Sequence, residues 1–266
     1  PISTDGGYIQ NSFNYQRLAL QLMEFVLKIS EKTMYHISDT NKEKILKSVH
    51  QMYQLQDDSG DVPNRGANDG ALIFPVTSCD YRDFRPIINS ISTLISGERL
   101  YKRGLYDEEV LWFSNKKLSH IPVNPPERTS SCFNKAGLFS LRKNRDTFLM
   151  IVLKNNKTRP TQMDQLHVDL WHKGLNILCD TGSYSYADPI GQKLSLTESH
   201  NTVKVNGVDQ MNKRGAFFVT DWSMSEKVEC MKDSFTGTMV SKNGYKHKRD
   251  IKLVENGYTI NDEVTG

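Results

Sequence analysis

"SNKKLSHIPVNPPERTSSC", residues 114–132, separates two stretches of chain with different hydrophobic periods. Pro122, Pro125 and Pro126 disfavour both a helix interior and a central strand, so the stretch reads as a linker. Before it, apolar residues recur every three or four positions. In "NSFNYQRLALQLMEFVLKIS", Tyr15, Leu18, Ala19, Leu22, Val26 and Ile29 predict a helix with that stripe buried. A second helix runs through "TNKEKILKSVHQMYQLQ", with Thr40 and Glu43 as a capping box and Ile45, Val49, Met52 and Tyr53 as its apolar face. A third, "RPIINSISTLISG", has Pro86 in its first turn and Gly97 as its stop, and a short fourth is "DEEVLWF".

After the linker the period falls to two, in "GLFSLR", "TFLMIVL", "LHVDLW", "NTVKVNG", "AFFVTD" and "GYKHKRDIKLV". Asn-Gly turns follow at 206–207, 243–244 and 256–257. Short strands joined by hairpin turns, with no helices between them, predict an antiparallel sandwich. The expected division is a helical part over 1–114, a linker over 115–135 and a β-sandwich over 136–266. The fold class is therefore α+β, with helices first.

The net charge of +3 is too mild to indicate nucleic acid, and no basic block stands out, but it suits an anionic small molecule or glycan. No apolar run is long enough to span a membrane. Cys79, Cys132, Cys179 and Cys230 form no CxxC pair; scattered free thiols are expected, with one or two disulfides as the alternative. The opening "PISTDGG" lacks a Met, and the chain reads as a fragment of a longer protein.

Four segments ask for more than secondary structure. "DGGYIQNSFNYQR" places Asn11, Ser12, Asn14 and Tyr15 at a helix start, where an N-cap at Asn11 or Ser12 explains only one of them. "DVPNRGANDGALIFPVTSCDYRDFRP" is a long polar loop with an apolar centre, which argues for function rather than disorder. In "RPTQMDQLHVDLWHKGLNILCDTGSYSY", His167 and Asp169 share a strand face and Asp180 follows the next strand. That set suits acid–base work, a metal, or a satisfied structural histidine. "SHNTVKVNGVDQM" opens a strand-and-turn pattern with His200-Asn201, and His200 either faces a cleft or ties the strand to the "DTGSYSY" loop.

Taken in order, these four segments resemble the heparinase II/III-like family, and within it members found with bacterial surface-polysaccharide genes. The resemblance implies the last helices of an (α/α) toroid followed by a β-sandwich, and a periplasmic or cell-surface location. It also implies β-elimination on a uronate-containing anionic polysaccharide or oligosaccharide, with no nucleic-acid partner. The alternatives are a uronate epimerase and a non-catalytic glycan-binding or surface-polysaccharide assembly protein. By the same resemblance Asn11 neutralises the uronate carboxylate, while Tyr15, His167 and His200 complete the catalytic set. Asn64, Arg65, Asp69, Arg159 and Tyr184 form the expected substrate-binding set. The sequence departs from the family pattern at Arg65, where a Tyr is usual, and at Pro160 and Gln162, where a His-rich run precedes the residue equivalent to Asp164. An Arg pairs with a carboxylate but cannot act as a base. No cofactor is expected; a divalent metal near Asp180 and His200 is the alternative.

Overall fold

The computed structural model describes residues 1–266. Four helices come first: α1 (Phe13–Ser30), α2 (Asp39–Gln54), α3 (Arg85–Ser96) and α4 (Asp107–Phe113). Ser12 caps α1, its Oγ accepting from the Tyr15 amide at 3.1 Å. Ser38, not the expected Thr40, caps α2, so the box read from Thr40 and Glu43 lies two residues too far along. Gly97 ends α3 in the left-handed region at φ 77°, as its stop signal requires.

The face α1 buries is also not the expected one. Leu22, Val26 and Ile29 are more than half exposed, and the packed face carries Phe13, Leu20 and Leu27 interleaved with Gln16, Arg17, Gln21 and Glu24. The period was right and the phase wrong, because the inward polar groups find partners. Gln16 Nε2 donates to Ser48 Oγ at 2.8 Å, and Arg17 donates to Asn14 Oδ1 at 2.9 Å.

The second part is built from antiparallel strands. β1 (Ser131–Phe133), β2 (Leu138–Asn144), β3 (Thr147–Val152), β4 (Val168–His172) and β5 (Leu175–Leu178) form one sheet in sequence order. A small hairpin joins β6 (Asn212–Gly215) to β7 (Phe218–Thr220). The second sheet contains β8 (Met224–Cys230), β9 (Ser234–Ser241), β10 (Tyr245–Val254) and β11 (Gly257–Thr265). One short helix, α5 (Pro189–Lys193), interrupts the expected all-β run.

β3 is buried along its whole length, and alternation sends its side chains to two different cores. Met150 and Val152, with Leu138 of β2, pack against Phe13, Leu20, Met52 and Ile88 of the helices. Leu149 and Ile151, with Phe139 and Leu141, pack against Phe235, Met239 and Ile251 of the second sheet. The first sheet is thus the middle of three layers, and each such side chain contributes roughly 2 kcal/mol by leaving water. A disulfide between Cys132 and Cys230, 98 residues apart, ties β1 to β8; Cys79 and Cys179 stay free. Of the two expectations, the alternative of one disulfide holds over scattered free thiols, since spacing along the chain does not show which cysteines sheet packing brings together.

"NTVKVNG" is not a strand. Asn206 and Gly207 do make the left-handed turn, at φ 49° and 72°, but only Val205 and Val208 pair across it. The preceding residues are pinned by side chains instead. Asn201 Nδ2 donates to the carbonyls of Val168 and Cys179, and Thr202 Oγ1 donates to that of Gln165.

Glu24 of α1 and Glu109 of α4 are both buried, and three of their four carboxyl oxygens have no hydrogen-bond partner. Burial, then the neighbouring Glu109, raises the Glu24 pKa far above its ordinary 4.5. The folded protein therefore holds a proton that the unfolded chain gives up as pH rises past about 5. This stabilisation is complete in acid and is lost with rising pH, at up to about 1.4 kcal/mol per unit. Glu24→Gln is expected to flatten the decline of unfolding free energy between pH 6 and 9; an unchanged slope by denaturant titration would contradict it.

Candidate active site

The loop after α2 runs past the start of α1 and carries Arg65 inward. The Phe13 amide donates to the Arg65 carbonyl at 3.3 Å, and Ser12 Oγ donates to the Ala67 carbonyl at 2.5 Å. Gly66 lies so close that a Cβ there would sit 2.2 Å from the Asn11 carbonyl oxygen. The β part grips the same loop: Gly66 N donates to Gln162 Oε1 at 2.9 Å, and Ser183 Oγ donates to the Gly66 carbonyl.

Behind this seam lies a buried charge cluster. Lys154 Nζ is 3.5 Å from Asp164 Oδ1, and Arg65 feels the charges of Asp164 and Asp180. Burial opposes ionisation of Asp164, but Lys154 and Arg65 outweigh it and hold its carboxyl below the usual range. Burial also brings Lys154 down to about 8, against the pull of Asp164.

His167, Asp180 and His200 sit in the same interior. His200 Nδ1 is 3.3 Å from Asp180 Oδ2, and His167 Nε2 is 4.0 Å from it. One ligand atom from each residue lies within 4.8 Å of the other two. His167 Nε2, Asp180 Oδ2 and both His200 ring nitrogens are buried without a hydrogen-bond partner. Orphaned nitrogen and carboxylate oxygen at this spacing fit a divalent ion of the zinc type. Asp169 backs the group, accepting from Trp171 Nε1 and from the Asp180 amide. One condition applies: His167 Nδ1 accepts from the Asn201 amide at 3.0 Å. A neutral ring that ligates through Nε2 carries its proton on Nδ1, so ion binding displaces that bond.

A cavity of about 420 Å³ opens on the other side of the seam. Tyr15, Arg159, Gln162, Tyr186, Lys213 and Phe217 are among its walls. The Tyr15 hydroxyl donates to Asp69 Oδ2 at 2.8 Å and lies 3.0 Å from the Tyr186 hydroxyl. Burial first, then Tyr186 and Asp69, raise the Tyr15 pKa well above the ordinary phenol range. Lys213 Nζ donates to Ser195 Oγ at 2.6 Å.

The expected site residues therefore separate into two groups. Tyr15 and Arg159 face the cavity, with Asp69 bonded to Tyr15. Arg65, His167 and His200 are buried at 7% exposure or less and do not line it. Asn11 stands beside the seam in the left-handed region at φ 54°, its Oδ1 accepting from Arg65 at 3.4 Å. Asn64 Oδ1 accepts from Arg82 at 3.2 Å, and Tyr184 is 71% exposed and outside the cavity. Tyr186, two residues on, takes the inward position expected of Tyr184. Lys213 was missed because its short strand carries no pattern beyond a turn.

Residues 125–266 match the family described as heparinase II/III-like, C-terminal. The chain belongs to the heparinase II/III-like family. No curated protein sequence matches it. Solved structures share its fold: a heparinase III gene product at 18% identity and TM-score 0.70, and a heparan sulfate lyase from Pedobacter heparinus at 14% and 0.68. A further heparinase III matches at 17% and 0.67. Each is matched over 100% of this chain but only 39–41% of its own length. No helix is long and apolar enough to cross a membrane.

Zinc at a hundredfold excess over its dissociation constant is expected to stabilise the fold by about 2.7 kcal/mol. The rise in melting temperature should vanish on chelation and in His200→Ala. No zinc-dependent shift in the unaltered protein would contradict the fit.

Proposed function

We propose that the protein binds a uronate-containing acidic glycan in the cavity beside Tyr15 and cleaves it by β-elimination. The observation that carries this reading is the wall chemistry: Arg159 and Lys213 face the cavity, and no carboxylate is among its lining residues. Family membership and the fold shared with polysaccharide lyases support it.

The C5 proton of a uronate is only weakly acidic, and its removal builds negative charge on the neighbouring carboxylate. Arg159 and Lys213 pair with that carboxylate and stabilise the enolate-like state. Asp69, which lies outside the cavity lining and accepts from the Tyr15 hydroxyl, takes the phenolic proton; Tyr15 then takes the C5 proton and passes it to the departing O4 as the C4–O4 bond breaks. A phenol with a raised pKa stays protonated at neutral pH and is a suitable acid for an alkoxide leaving group. The proton on Asp69 then returns to the Tyr15 phenolate across the 2.8 Å bond already present, which restores both groups.

Arg65 takes the family's tyrosine position but acts from behind the wall, balancing Asp164 and Asp180 while it orients Asn11. A divalent ion held by His167, Asp180 and His200 would supply structural cross-linking of the segment entering β4 to the loops after β5. This departs from the roles expected for His167 and His200, whose buried rings do not reach the cavity.

Elimination leaves a C4–C5 double bond conjugated to the carboxylate, which absorbs in the ultraviolet. With full-length protein and a panel of uronate polysaccharides, Tyr15→Phe is expected to lower kcat roughly 10²-fold. Arg159→Ala should lower kcat as well as raise KM, because the guanidinium meets more charge in the enolate-like state than in the bound substrate. Burial of the two histidines favours a second reading, a glycan-binding protein without turnover. Flat absorbance on every substrate, with binding retained and no exchange of the C5 proton for deuterium, decides for that reading; exchange without absorbance indicates epimerisation.

A further inference from the structure

A second groove, of about 1090 Å³, lies along another part of the helix–sheet seam and shares no lining residue with the Tyr15 cavity. Its walls come from the end of α2, the 100–106 loop, the proline-rich connection, the β2–β3 turn and the β8–β9 turn. Seven cationic side chains and three carboxylates line it, a net +4 against +3 for the whole chain. The protein's positive charge is therefore concentrated at a place the elimination chemistry does not use.

The charges are neutralised only in part: Arg85 pairs with Asp83 at 2.7 Å, and the other cations share little. Asp58 is the one carboxylate shared by Arg128 at 3.1 Å and Arg145 at 2.8 Å. Arg142 lies close enough to Arg128 that burial, then this second cation, brings its pKa down to about 10. Arg142 is 93% buried by its 7% exposure, and the Nε of both Arg128 and Arg142 lacks any hydrogen-bond partner. Lys102, Lys143 and Lys232 stand exposed around this group, and none has a carboxylate in ion-pair reach. The same walls carry a cluster of tyrosine rings in tilted and edge-on contact. Tyr101 lies 5.8 Å from Tyr53 and 5.3 Å from Tyr106, with Arg128 over Tyr53 and Arg85 over Tyr106.

Guanidinium forks recognise carboxylate and sulfate, and tyrosine faces accept the apolar side of a pyranose ring. We infer that this groove is a second, non-catalytic binding site for an acidic polysaccharide, separate from the cavity where the chain is cut. It holds a distant stretch of the same polymer and raises the affinity for long chains over short ones by adding a linked contact. The inference rests on the reading of the ligand as an acidic glycan, but not on elimination at Tyr15.

The test compares full-length protein with a Lys102→Ala, Lys143→Ala, Lys232→Ala triple variant and with Lys213→Ala. Calorimetric titration uses heparin-derived oligosaccharides, polygalacturonate and a DNA duplex at low salt. The triple variant is expected to lose roughly tenfold in affinity for the long oligosaccharide, with melting temperature and turnover of saturating short substrate unchanged. Lys102→Glu alone should weaken binding in the same direction. The effect should shrink as salt is added. Unchanged affinity in the triple variant, loss of all binding in Lys213→Ala alone, or no binding by the unaltered protein overturns the inference. DNA bound as tightly as the glycan, and lost in the triple variant, overturns the choice of ligand. Groove-dependent glycan binding without ultraviolet absorbance rejects elimination and leaves this site standing; turnover without groove dependence does the reverse.

Discussion

Burying Asp164 and Asp180 beside Arg65 and Lys154 is the constraint on which the arrangement of the two parts depends. An ion taken out of water without a partner is severely destabilising, so each of these groups needs the others in place. Arg65 belongs to the helical part, while Lys154, Asp164 and Asp180 belong to the β part. The cluster therefore fixes the long loop after α2 against the turns of the first sheet. Hydrogen bonds from Gly66 to Gln162 and from Ser183 to Gly66 complete that join. The cavity beside Tyr15 and the cationic groove both open along the seam that results.

The same constraint divides labour among the polar residues. His167 and His200 lie on the interior side, where their unpartnered ring nitrogens suit an ion and cannot meet a sugar. Tyr15, Tyr186, Arg159 and Lys213 lie on the open side, where a ligand can reach them. Arg65, expected from the resemblance to meet a substrate carboxylate, is turned away from the cavity. Its guanidinium cannot accept a proton, and its burial directs its charge inward rather than to a substrate.

The order of elements was legible because a change of hydrophobic period needs no tertiary information. α3 and α4 begin and end where Pro86, Gly97 and the "DEEVLWF" run indicate. The buried face of α1 was not legible, because Gln16, Arg17 and Glu24 face inward and the more apolar stripe faces out. Local pattern also failed at "NTVKVNG", where Asn201 and Thr202 replace strand pairing with side-chain bonds. Of the residues that line the cavity, Tyr15 and Arg159 were among those named from the sequence, while Tyr186 and Lys213 gave no signal that separated them from Tyr184 or an ordinary surface lysine. Whether a histidine faces a cavity or an interior is decided by neighbours far away in sequence. No spacing rule reports that.

The central claim is that the cationic wall beside Tyr15 receives a uronate carboxylate. A crystal structure of the full-length protein with a uronate oligosaccharide tests it most directly. The account requires the carboxylate within hydrogen-bond distance of Arg159 and Lys213, with C5 and O4 both next to the Tyr15 hydroxyl. A sugar seated with its carboxylate away from both cations, or with the glycosidic bond out of reach of Tyr15, would contradict it.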